Sequence, residues 1–168
     1  MCGIAGFIDF KRASSQADLD RMTDTLVHRG PDGRGTEWIE TDVAQIGLGH
    51  RRLAIIDLSE MGRQPMALGS RWLVFNGEIY NHLALRQEVE SQLNVAWRGH
   101  SDTETILACF EVFGVECTIG KLVGMFAIAV WDEETEQLLL ARDRLGEKPL
   151  YFGWCGESFL FGSELKAL

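Results

Sequence analysis

The chain begins Met1-Cys2-Gly3-Ile4-Ala5-Gly6, so loss of one methionine leaves a cysteine that carries its own free α-amino group. A thiol attacks as the thiolate, and a free cysteine with a pKa of about 8.5 is mostly protonated at neutral pH, so a catalytic cysteine needs a proton acceptor beside it. An α-amino group, with a pKa of about 7.7 to 8.0, is a workable acceptor. Nucleophile and base then sit on one residue, and no histidine is required. The plainer reading of the same dipeptide is that a small residue at position 2 merely permits methionine removal.

The rest of the composition narrows the setting. At 168 residues, with 46% hydrophobic and 24% charged residues, the sequence fits one globular domain with a substantial core. A net charge of -9 argues against a nucleic-acid or anionic-membrane partner, since both call for clustered Lys and Arg, and leaves a small substrate as the expectation. Cys2, Cys109, Cys117 and Cys155 form no C-x-x-C pair and have no histidine at zinc-ligand spacing, so no metal site is expected. Cys109 lies in an apolar helical pattern and reads as a core thiol. The first apolar run breaks at Asp9 with no basic segment ahead of it, so neither a signal peptide nor a membrane span is expected. The expected compartment is the cytoplasm, where Cys2 stays reduced.

These groups need elements to hold them. Residues 3–9 read as a buried strand, followed by a helix from about Ala17 to Val27, with Ser15 and Asp18 as its capping box. Strands are expected at 36–40, 44–49 and 71–75, and a helix from about Ile79 to Leu93. Ser101 and Glu104 open a further helix with Ile106, Phe110 and Phe113 as its stripe. From Gly124 to Trp131 every residue is apolar or glycine, which predicts a strand covered on both faces. Residues 137–142 complete a hairpin, and strands are expected at 149–154 and 158–162. Strands with helices in blocks, not in strict alternation, predict an α+β layered sandwich.

Five short segments carry a resemblance: Met1 to Gly6, His28-Arg29-Gly30-Pro31-Asp32, Arg52-Leu53-Ala54-Ile55-Ile56-Asp57, Asn76-Gly77-Glu78-Ile79-Tyr80-Asn81, and Ser101-Asp102-Thr103-Glu104. In this order, and with Arg142-Asp143-Arg144-Leu145-Gly146, Lys148-Pro149-Leu150-Tyr151 and Ser163 to Leu168 following, the chain resembles the glutaminase domain of class II glutamine amidotransferases, in particular the N-terminal domain of asparagine synthetases. The resemblance spans residues 1–168. It implies a four-layer αββα sandwich of the N-terminal nucleophile hydrolase type, and hydrolysis of the L-glutamine side-chain amide to glutamate and ammonia through a γ-glutamyl thioester on Cys2.

The chemistry makes separable demands. A tetrahedral intermediate needs donors aimed at its oxyanion, and by resemblance these are the Asn76 amide and the Gly77 backbone N–H. Taken alone, Asn-Gly reads first as a tight β-turn. The glutamine α-carboxylate suits a planar arginine fork; Arg52, not Arg51, aligns with the family motif. The α-ammonium needs acceptors, which the resemblance assigns to Asp102, Glu78 and the Gly77 carbonyl, although a carboxylate in the first turn of a helix also has a purely structural use. Backbone groups of Ile55 and Ile56 are carried over as further substrate contacts. Arg29 is a candidate neighbour of Cys2, while His50, His82 and His100 read as ordinary surface or strand-end residues.

Asparagine synthetases continue into a C-terminal synthetase domain with a pyrophosphate-binding loop that uses ATP, with Mg; no such loop occurs here, and no cofactor is expected for this domain. The implied partners are glutamine and that synthetase domain, with an apolar patch near the C-terminal strands to receive it; a homodimer is also compatible with the resemblance. Three other readings remain open: a domain serving another carboxylate acceptor, as in surface-polysaccharide synthesis, a hydrolase of a different amide, and a degenerate non-catalytic module.

Overall fold

The apolar run that begins at Gly124 lies in the middle of a sheet and is buried on both faces. The computed structural model describes residues 1–54 and 59–168. Its strands and helices, in chain order, are β1 (Gly3–Asp9), α1 (Gln16–Asp24), β2 (Gly33–Glu40), β3 (Gln45–Arg52), β4 (Met66–Leu68), β5 (Arg71–Ile79), α2 (His82–Glu90), α3 (Asp102–Phe113), α4 (Val115–Lys121), β6 (Gly124–Asp132), β7 (Gln137–Arg142), β8 (Tyr151–Cys155) and β9 (Ser158–Gly162). Two sheets result, one in the order β2-β3-β1-β9-β8 and the other in the order β4-β5-β6-β7. Every pairing in them is antiparallel.

The period-two alternation of β6 decides the layering. Phe126, Ile128 and Val130 join Leu85, Val89, Ile106 and Phe110 of the helices in one core. Ala127, Ala129 and Trp131 point the other way and pack with Ile4, Ile46, Leu48 and Phe161 of the opposite sheet. That sheet is covered on its outer face by α1 and the turn that follows it, where Met22 and Leu26 meet Ala5 and Ala167. Gly49 admits the helix: a Cβ there would sit 2.1 Å from the Thr23 hydroxyl. The layers are therefore helix, sheet, sheet, helices, the four-layer αββα sandwich that the resemblance implied.

Several expectations shift locally. The first helix stops at Asp24 rather than Val27. β4 and α4 lie outside the expected elements, because three residues are too few for a readable strand pattern and α4, at seven residues, carries only Val115 and Ile119 on the face that packs against the helix-side core. The expected helix start at Ile79 is a correction: β5 runs on through Asn76, Gly77 and Glu78, paired with Ala127, Phe126 and Met125, and α2 begins only at His82. Asn76-Gly77 is thus not a turn. The capping box of α3 is half formed. The Ser101 hydroxyl accepts the Glu104 N–H at 3.2 Å, but the Glu104 carboxylate turns to the Arg98 and Gly99 N–H groups.

Phe161 is fully buried between the sheets, whereas Leu145 is 84% exposed. Phe161→Ala is expected to lower the unfolding free energy by about 3–5 kcal/mol and Leu145→Ala by less than about 0.5 kcal/mol, read by urea unfolding.

Candidate active site

Both sheets deliver residues to one cleft. Cys2 immediately precedes β1, whose first residue, Gly3, lies opposite Arg51 of β3, so the chain start lies beside the end of β3. Across from them stands β5. The cleft is lined by Cys2, Arg52, Asn76, Gly77, Glu78 and Asp102, so all of these candidates, 100 residues apart at the extremes, come together. Ile55 and Ile56 lie outside the described residues.

The Cys2 sulfur is held by Leu53, whose N–H donates to Sγ at 3.3 Å and whose carbonyl lies 3.6 Å from it. Burial raises the thiol pKa above its ordinary value; the Leu53 N–H, the chain's terminal charge and Arg52 oppose the rise, and Asp102 adds to it. The resting group is a neutral thiol, which makes a local base necessary for attack. With Met1 attached the Cys2 nitrogen is an amide and cannot serve as that base. The Cys2 carbonyl accepts from Arg29 Nε at 3.0 Å, and Arg29 Nη1 pairs with Glu164 at 3.0 Å, so the residue before β1 is tied to the start of the C-terminal turn.

On β5, Asn76 Nδ2 is buried and has no hydrogen-bond partner among the described residues. A buried orphan donor is costly and rare, and an active-site role is one standard reason for one. Alternate N–H groups of a strand point to the same edge. The Phe75 and Ile79 N–H groups are taken by the side chains of Gln64 and Asp102, at 2.6 and 3.0 Å, so Gly77 N–H between them points to that same open edge. Glycine at 77 answers a structural demand as well. A Cβ would meet the Met125 carbonyl oxygen of β6 at 2.2 Å.

Asp102 combines the two uses that its sequence position suggested. It stands in the first turn of α3, and its carboxylate accepts from the N–H groups of Ile79 and Thr103. Burial nevertheless raises its pKa, against the pull of Ile79 N–H and His82. A cation arriving beside it would favour the charged carboxylate and offset that rise. Arg52 lies at the end of β3 and donates to the Ser59 carbonyl at 2.8 Å.

Three cleft residues escaped sequence reasoning. His50, expected at the surface or a strand end, is 1% exposed in the cleft floor, where burial pushes its pKa down to about 3; the inward alternation Ile46, Leu48, His50 was the available signal. Lys148 is buried with its ammonium 3.0 Å from Met1 Sδ. Its backbone is held by Asp143, which accepts the Lys148 N–H, and by Arg142, which donates to the Lys148 carbonyl. Gln64 is the third, and nothing in its local sequence marks it.

Comparison with known proteins places the whole chain. Residues 1–168 match the family model described as a glutamine amidotransferase domain. The chain is 45% identical to asparagine synthetase [glutamine-hydrolyzing] 3 of Bacillus subtilis, over 100% of this chain and 27% of that protein. It is 38% identical to asparagine synthetase [glutamine-hydrolyzing] 1 of the same organism, over 100% of this chain and 26% of that one. The chain therefore spans about a quarter of the length of these relatives. A solved glutamine phosphoribosylpyrophosphate amidotransferase from B. subtilis superposes with a TM-score of 0.82 at 22% identity, covering 99% of this chain and 42% of that one, which shows the shared fold.

The clamp beside Cys2 generates a pH prediction. Partial burial opposes ionisation of Glu164, but hydrogen bonds from Arg29, His28 and Lys166 outweigh it and hold its pKa at about 2. A carboxylate depressed on folding contributes stability above its unfolded pKa of about 4.3, and that contribution is lost as pH falls toward the folded value. Chemical unfolding at about pH 5 and about pH 3 is expected to show a steeper acid loss in the wild type than in Glu164→Gln.

Proposed function

Because the chain belongs to the glutamine amidotransferase domain family, we propose that its cleft hydrolyses the side-chain amide of L-glutamine once Met1 has been removed. The orphaned Asn76 donor in the same cleft as the Cys2 thiol carries this reading. It is a hydrogen bond kept open for an oxygen that appears only during reaction.

The cycle follows from the residues. Arg52 takes the substrate α-carboxylate through its fork, and Asp102, Glu78 and the Gly77 carbonyl take the α-ammonium, so the side-chain amide is left at Cys2. The freed α-amine of Cys2 removes the thiol proton as sulfur attacks the amide carbon. The oxyanion is received by Asn76 Nδ2 and Gly77 N–H. Collapse returns the proton to the departing nitrogen, releasing ammonia and leaving a thioester. The same amine then activates water, and glutamate leaves. Nucleophile, base and oxyanion donors all belong to the chain, so this half-reaction calls for no cofactor.

The ammonia is destined for a second activity. Two relatives named as glutamine-hydrolysing asparagine synthetases are about four times as long as this chain, which supports an ATP- and Mg-using synthetase domain as partner and aspartate as acceptor. The side chains of Tyr151, Phe152 and Trp154 on β8 stand exposed, an apolar surface suited to such a domain.

With Cys2 at the N-terminus, Cys2→Ala is expected to abolish glutaminase activity and labelling by an alkylating glutamine analogue. A variant that still turns over would reassign the nucleophile. Asn76→Ala is expected to lower kcat by about 100- to 1000-fold. Arg52→Ala is expected to act mainly on KM, and unchanged glutamine kinetics in that variant would point to another amide as substrate. Protein whose mass shows Met1 retained is expected to be inactive in the same assay.

A further inference from the structure

The geometry points to Gln64 as the positioning residue that sets the two halves of the glutamine site relative to each other, an inference that rests on the amidase reading above. β4 pairs with β5 through Met66 opposite Leu73. Carrying that register back would place Gln64 opposite Phe75, but β4 begins only at Met66, and the Gln64 carbonyl oxygen is turned toward Gly35 of β2, where a Cβ would meet it at 2.0 Å. The Gln64 side chain takes over. Its Oε1 accepts the Phe75 N–H at 2.6 Å, and its Nε2 donates to the Thr103 hydroxyl at 3.1 Å.

Both partners are neighbours of residues that the reaction uses. Phe75 precedes Asn76 and Gly77, the oxyanion donors; Thr103 follows Asp102, the ammonium acceptor. Gln64 is 7% exposed, Thr103 is 3% exposed, and both line the cleft. A buried amide with both ends engaged is a stiff spacer, because freeing either end strands a buried polar group. Together with Asp102, which takes the Ile79 N–H, Gln64 closes the exposed edge of β5 on both sides of Gly77. The Gly77 N–H is left between them for substrate. The Oε1 arm thus orients the oxyanion donors, and the Nε2 arm sets their separation from the ammonium site.

The arms predict different kinetic signatures. Gln64→Met keeps the length and removes both bonds; it is expected to lower kcat about 10- to 100-fold and to raise KM, less than outright loss of an oxyanion donor. Thr103→Val cuts only the arm to α3, so KM is expected to rise with a smaller loss of kcat. Gln64→Glu keeps an acceptor for the Phe75 N–H and is expected to recover most of the kcat lost in Gln64→Met. Hydrogen exchange followed by NMR gives a reading independent of turnover: the Phe75 amide is expected to exchange faster in Gln64→Met and at the wild-type rate in Gln64→Glu. Wild-type kinetics in Gln64→Met, an equal kcat and KM split in Gln64→Met and Thr103→Val, or unchanged Phe75 exchange overturns the proposal. If Gln64→Met does not fold, the other two variants decide it by the same measures. Absence of glutamine turnover in the wild type defeats the amidase reading alone, since Phe75 exchange still reports the brace.

Discussion

Past Met66, β5 has no partner strand on one side among the described residues, and the site depends on how that open edge is satisfied. A strand edge inside a protein presents N–H groups that must find partners or remain costly. Here side chains replace the missing strand. Gln64 takes the Phe75 N–H and Asp102 takes the Ile79 N–H, which leaves Gly77 between them. The fold thereby obtains a preorganised donor pair, Gly77 N–H with the Asn76 amide, without a loop whose conformation would have to be held separately. β6 on the far side of β5 keeps the strand in place through a continuous register from Arg71 to Ile79.

Burial of the Cys2 thiol complements that edge. The Cys2 thiol stays neutral where it sits, since burial outweighs the Leu53 and Arg52 contributions that favour thiolate. A buried neutral thiol with no histidine bonded to it is inert until a base appears. The α-amine released by loss of Met1 appears at that residue and nowhere else in the molecule. Met1 itself lines the cleft, and its sulfur is the contact of the buried Lys148 ammonium. Removal of one residue therefore moves the terminal amine onto Cys2 and changes the volume and the available base of the site together.

Much of this was legible before folding. The β6 pattern specified a doubly covered strand and hence the layered order, and the helix signal at Ser101 placed Asp102 in a first turn. Local rules failed where tertiary contacts overrode them. Asn-Gly is a favoured turn pair, yet pairing with Ala127 and Phe126 holds it in a strand interior, and Ile79 is strand because Asp102 and Gly124 claim it. Gln64 left no trace in periodicity, since its partners lie 11 and 39 residues away.

The sequence by itself determined the chemical types: a cysteine one residue from the chain start, an arginine, an amide beside a glycine, a carboxylate, and the alternations that build two sheets. Covalent order and side-chain period are local properties, so they can be read along the chain. The tertiary structure alone decided that these groups share a cleft, that the Asn76 donor has no partner among the described residues and that Gln64 braces the edge. Those facts are distances between segments remote in sequence, and distances of that kind exist only once the two sheets have packed.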